Sequence, residues 1–122
     1  MPKKILFIED EEILADLLQR KLTAEGYEVF LANDGEKGLA LMRELRPDLV
    51  LLDIVMPKMN GLEVLVAMQK DDDLRKIPVI IISNSGQPVE IEQIKKLGAK
   101  DWLIKTDFSL EEIIQKVKKQ IG

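Results

Sequence analysis

Five short apolar runs alternate with stretches of helical spacing, and this alternation restricts the fold more than any other feature of the chain. The runs are Ile5-Leu6-Phe7-Ile8, Tyr27 to Leu31, Leu49-Val50-Leu51-Leu52, Val79-Ile80-Ile81-Ile82 and Trp102-Leu103-Ile104. Three are almost unbroken, as strands buried on both faces of a parallel sheet must be. Between them, Ile13, Leu14, Leu17, Leu18 and Leu22 predict one helical stripe, and Leu39, Met42 and Leu45 a second. Leu62, Leu65, Val66 and Gln69 predict a third, Ile91, Ile94 and Leu97 a fourth, and Leu110, Ile113, Ile114 and Val117 a fifth. Gly26 and Gly98 stand where helices end in a left-handed residue. Ser109 with Glu112, and Asn60 with Glu63, fit capping boxes. Pro47 and Pro78 stand at strand starts, where a missing N–H costs least. The order is therefore strand–helix five times, in one domain over residues 1–122. It predicts a flavodoxin-like α/β sandwich, (βα)5, with a parallel sheet of order 2-1-3-4-5 and right-handed crossovers. Ligands of such sheets bind at the carboxyl ends of the strands, near the switch between strands 1 and 3.

Composition limits the chemistry. There is no cysteine and no histidine, which removes disulfides, thiolate and Ser-His-Asp catalysis, and most zinc sites. The net charge of −4 gives no electrostatic basis for nucleic-acid binding. No apolar run approaches the roughly 20 residues of a membrane span, and the start is too short in apolar residues for a signal peptide. The expectation is a cytoplasmic domain whose chemistry uses carboxylates, hydroxyls, lysines or a hard, oxygen-bound metal.

The strand ends supply those groups. Glu9-Asp10 follow strand 1, Asp53 ends strand 3, Ser83 ends strand 4 and Lys105 follows strand 5. In the expected fold all five converge on one edge. Three carboxylates and one ammonium leave a charge of −2 there, which a divalent cation cancels. Mg²⁺ suits hard oxygen ligands and leaves room for a phosphate oxygen. A carboxylate nucleophile, a metal, a second cation and a hydroxyl donor are the parts of phosphoryl transfer. The plainer reading of each residue is also open. Glu9-Asp10 can complement a helix N-terminus, Ser83 and Lys105 can be ordinary strand-end polar groups, and Trp102 can be packing.

The strings Lys4-Ile-Leu-Phe-Ile-Glu-Asp10, Asp48-Leu-Val-Leu-Leu-Asp53-Ile-Val-Met-Pro57-Lys-Met-Asn-Gly61, Ile77-Pro-Val-Ile-Ile-Ile-Ser83 and Leu97-Gly-Ala-Lys-Asp-Trp-Leu-Ile-Lys105 resemble the receiver domain of two-component response regulators. The resemblance spans essentially the whole chain. It implies that Asp53 is the phosphoacceptor and that Glu9, Asp10, Asp53 and the backbone carbonyl of Val55 hold Mg²⁺. It implies that Lys105 pairs with a phosphoryl oxygen, that Ser83 swings to hydrogen-bond the phosphoryl group, and that Trp102 takes the place of the switch aromatic. The donor histidine would belong to a partner sensor histidine kinase or phosphotransfer protein. Output would pass through a downstream protein, or a dimer, at the helix 4–strand 5–helix 5 face.

Three departures from the family pattern stand out. Thr106 follows Lys105 where proline is usual, which implies either a trans bond with a rearranged loop or a strained cis bond. Asn84 follows Ser83 where a small residue is usual, which bears on phosphoryl lifetime. Glu9-Asp10 replaces two aspartates, a frequent variant. Rival readings are a small Mg²⁺-dependent phosphohydrolase, a flavin-binding module and a receiver-shaped scaffold that takes no phosphate. The acidic run Glu9 to Glu12 would repel a flavin phosphate.

Overall fold

The structure is a computed structural model. It describes residues 2–56, 58–83, 88–105 and 109–122, with the backbone alone at 88–90. The strands are β1 (Lys4–Ile8), β2 (Glu28–Ala32), β3 (Leu49–Asp53), β4 (Val79–Ser83) and β5 (Asp101–Ile104). The helices are α1 (Glu12–Ala24), α2 (Gly35–Leu45), α3 (Gly61–Gln69), α4 (Pro88–Lys96) and α5 (Leu110–Ile121), with a 3₁₀ turn at Leu74–Lys76. The strands form one parallel sheet of order β2-β1-β3-β4-β5, as the sequence predicts.

Residues of β3 and β4 are buried without exception, and β1 is buried from Ile5 onward. Alternation along each strand then divides the interior into two cores. Ile5, Phe7, Leu49, Leu51, Ile80 and Ile82 face α1 and α5. Leu6, Ile8, Val50, Leu52, Val79 and Ile81 face α2, α3 and α4. A run of apolar residues with no polar interruption is what a strand needs when helices cover both of its faces.

Two of the predicted helical stripes need correction. In α1 the buried residues are Ala15, Leu18 and Leu22, whereas Ile13 and Leu17 are 87% and 46% exposed. Residues two apart lie about 200° around a helix, so 13 and 17 cannot share the face of 15 and 18. In α3, Val66 is likewise partly exposed, and the core contacts are Val64, Leu65 and Met68.

The punctuation holds. Gly26 and Gly98 have φ of +100° and +95°. The Asn60 side chain accepts from the Glu63 N–H at 2.9 Å, and Glu63 accepts from the Asn60 N–H at 3.1 Å, which completes a capping box on α3. Ser109 accepts from the Glu112 N–H at 3.2 Å at the start of α5, so the expected capping box there is only half formed, as an N-cap without the return bond from Glu112 among the described residues. Asn84, Thr106 with its bond to Lys105, and Pro57 lie outside the described residues.

Gly61, the first residue of α3, sits directly on the end of β3. Its N–H donates to the Ile54 carbonyl at 2.8 Å. A Cβ there would collide with the Asp53 carbonyl oxygen and approach Ile54 Cα at 2.8 Å. Both obstacles are backbone, so the collision cannot be relieved by a rotamer. Gly61→Ala is expected to lower stability by about 1–3 kcal/mol, as overpacking does, read as an earlier urea midpoint. Ile13→Ser, at an exposed position, should move it by no more than about 0.5 kcal/mol.

Candidate functional site

The sheet order puts the ends of β1 and β3 side by side, and the site forms there. Glu9 and Asp10 follow β1, and Asp53 closes β3. One carboxylate oxygen from each of Glu9, Asp10 and Asp53 lies within 4.8 Å of the other two. Glu9 and Asp53 are buried, while Asp10 is open to solvent.

Lys105 reaches this cluster from the far side of the sheet. Its backbone N–H donates to the Ser83 carbonyl at 2.7 Å, continuing the β4–β5 ladder by one residue. Its ammonium then donates to Glu9 Oε2 and Asp53 Oδ2, both at 3.1 Å, with the side chain only 8% exposed. Ser83, buried at the end of β4, pairs in register with Ile104. Four of the five strand-end residues therefore share one ionic cluster, and Ser83 adjoins it through the backbone of Lys105. Val55 lies just past β3 and is exposed.

Trp102 is apart from the cluster. Half-buried on β5, it packs on the α2–α3–α4 side, and the Lys95 ammonium of α4 lies over its ring, 4.7 Å from the centroid. A cation at that distance is attracted by the ring quadrupole.

The sequence reading did not single out Glu11. Its N–H donates to Glu9 Oε2 at 3.1 Å, and its carboxylate lies 3.4 Å from the Lys105 ammonium. Glu11 immediately precedes α1, a position where an acidic residue commonly complements the helix N-terminus. Asp34 was also missed. It is buried, caps α2 by accepting from the Lys37 N–H at 2.8 Å, and sits 3.9 Å from Lys58. The signal available was an Asp immediately before Gly35, at the start of a helical segment.

Burial pushes the Glu9 carboxyl up to about 7, and the nearby Asp53 adds to the rise. The Glu11 N–H and the Lys105 ammonium offset this only in part. Lys105 moves up as well: burial opposes its charge, but hydrogen bonds to Glu9 and Asp53 outweigh that effect. Two buried oxygens, Glu9 Oε1 and Asp53 Oδ1, have no hydrogen-bond partner among the described residues. Glu9 Oε1 lies 3.0 Å from the ammonium, an ion pair without hydrogen-bond alignment. Buried carboxylate oxygens left in this condition are costly and fit a hard cation.

The signature of the response regulator receiver domain matches residues 5–118. The chain belongs to this family. It is 36% identical over 122 residues to the polar-differentiation response regulator DivK of Brucella anthropi, covering all of this chain and 98% of that protein. Among solved structures, the chemotaxis protein CheY4 of Vibrio cholerae superposes with a TM-score of 0.92 at 26% identity, covering 99% of this chain and all of that one. The phosphorylated cyanobacterial phytochrome response regulator RcpA superposes with a TM-score of 0.83 at 32% identity, covering 98% and 91%. The receiver thus acts as a switch in two-component phosphorelay signalling. Receivers bind Mg²⁺ at an acidic pocket and interact with histidine kinases or phosphotransfer proteins and with downstream targets. No described helix is long and apolar enough to cross a membrane.

A carboxyl group raised in the fold binds a proton that the unfolded chain has released. Between pH 4.5 and about 7 unfolding therefore releases a proton from Glu9, and rising pH favours the unfolded state. In buffer containing a chelator, the Glu9 contribution to stability should fall across this window. Chemical denaturation at a series of pH values should show that fall in wild type and a flatter profile in Glu9→Gln.

Proposed function

We propose that Asp53 is the phosphoacceptor of this receiver and that its phosphoryl donor is a phosphohistidine on a sensor histidine kinase or phosphotransfer protein. The observation that carries this reading is the buried Asp53 carboxylate, held by Lys105 through Oδ2 while Oδ1 has no hydrogen-bond partner among the described residues. One oxygen is fixed and the other is left to react. In the transfer, an Asp53 oxygen forms the new P–O bond as the P–N bond to the donor breaks. The released imidazole takes up a proton.

The remaining roles follow the same logic. Glu9, Asp10, Asp53 and the Val55 carbonyl would hold Mg²⁺, which would supply positive charge against the phosphoryl oxygens. Lys105 already faces Asp53, so it can pair with a phosphoryl oxygen by a small movement. Ser83 hydrogen-bonds a second oxygen. The added charge and acceptor oxygens then bias the site's arrangement. Because Lys105 and Ser83 are linked through the β4–β5 ladder, their movement reaches β5. Trp102, under Lys95, carries it to the α4–β5–α5 face, where a downstream protein or a second copy docks. In this reading residues 1–122 form one cytoplasmic receiver unit, a switch and not a turnover enzyme, with no direct nucleic-acid partner.

The test is intact mass after incubation with Mg²⁺ and a small donor, acetyl phosphate or phosphoramidate. One phosphoryl group should be added to wild type and none to Asp53→Asn or to chelator-treated protein. Trp102 fluorescence should change in step with the adduct. An adduct of the same yield on Asp53→Asn, or none on wild type with any donor, overturns the assignment.

A further inference from the structure

A groove of about 570 Å³ lies along the free edge of β2, between α1 and α2. Because β2 ends the sheet and these two helices cover opposite faces, the groove opens at the sheet edge. Ala15, Leu31, Ala40 and Leu41 give it a mainly apolar lining. Four carboxylates, Glu9, Glu12, Asp16 and Glu44, line it against one cation, Lys37. Glu9 is taken by Lys105 and Asp16 by Arg20 at 3.1 Å. Glu12 and Glu44 have no ion-pair partner among the described residues, and both are exposed.

Among the described residues, the strand edge itself is open at this point. The Glu28 N–H donates to the Lys3 carbonyl, and the Glu9 N–H donates to the Ala32 carbonyl. Alternate residues of a strand present their backbone groups to opposite sides, so Val29 and Leu31 turn theirs outward. Gln19 of α1 caps the Val29 carbonyl at 3.2 Å. Beyond that cap lies Leu31, 37% exposed. Edge strands are commonly blunted by lysine, proline or a bulge, and the stretch Leu31-Ala32-Asn33 carries neither lysine nor proline.

We propose that this groove docks a short, extended, basic segment of a partner protein, in which each face of the strand carries both a lysine or arginine and an apolar residue. Successive side chains of a strand point to opposite faces, so such a segment sets one cation against Glu12 on the α1 side and another against Glu44 on the α2 side, with apolar side chains on the lining, while its backbone meets the outward groups of Leu31. The charge selects this occupant. A second copy paired edge to edge would bring acidic lining against acidic lining, and an acidic segment would meet the same repulsion.

The test is a titration of ¹⁵N-labelled protein with a hexapeptide of two lysines, two valines and two lysines, which carries both residue types on each face of a strand, and with its counterpart in which glutamate replaces lysine. The basic peptide should shift the amides of Leu31, Asn33, Lys37 and Glu44, and added salt should weaken the effect. The acidic peptide should not shift them. Reversing both exposed charges, Glu12→Lys with Glu44→Lys, should weaken binding about tenfold while the rest of the spectrum stays native. Shifts confined to other faces, an equal response to the acidic peptide, or undiminished binding by the double variant overturn the proposal. So do concentration-dependent shifts at these amides without peptide, which would make the edge a self-interface.

Discussion

The Lys105 ammonium, buried between Glu9 and Asp53, is the interaction on which the site depends. Two carboxylates taken out of water this close together are unfavourable unless a cation joins them. The ammonium supplies that cation from within the chain, at 3.1 Å from an oxygen of each. Its position is set by backbone geometry. The parallel register pairs Ser83 with Ile104, and the next N–H, that of Lys105, bonds to the Ser83 carbonyl. The long side chain then crosses to the ends of β1 and β3. Glu9 in turn is locked from the α1 side by the Glu11 N–H. A charge cluster and a sheet register thus specify each other.

Most of the fold was legible because it is written in period. The unbroken apolar strands state that both faces are covered, and strand–helix alternation then leaves few topologies. The strand ends were legible for the same reason: in such a sheet the first polar residue after each apolar run comes to the same carboxyl edge. Asp53, Glu9, Asp10, Ser83 and Lys105 were found on that basis and through the family resemblance. The α1 stripe was misread because five apolar residues over ten positions exceed one face, and only packing shows that Ala15 is inside while Ile13 is outside. Glu11 was not legible, since its contact with Lys105 spans 94 positions of sequence and needs the folded sheet.

The loop beyond Asp53 is held by contacts that no local pattern announces. Lys58 adopts a left-handed φ of +66° and lies near the buried Asp34 at the start of α2. At Gly35 a side chain would collide with the Met59 carbonyl, and at Gly61 with that of Asp53. Two helix starts thus close on the loop from both sides, and each closure requires the residue without a Cβ. Asp34 combines a helix cap with this support, which explains a buried carboxylate outside the ionic cluster.

The sheet also keeps the two cores apart. One face packs α1 and α5 through Ile5, Phe7, Leu51 and Ile80, and the other packs α2, α3 and α4 through Leu6, Ile8, Leu52 and Ile81. Volume changes couple strongly between touching side chains and weakly between distant ones. Each core can therefore be rebuilt over evolutionary time with little reference to the other, provided the strands stay apolar and in register. That independence is one route by which this chain and a relative sharing 26% of its residues keep backbones that superpose at a TM-score of 0.92. The two cores can drift separately while the strand ends keep their charges in place.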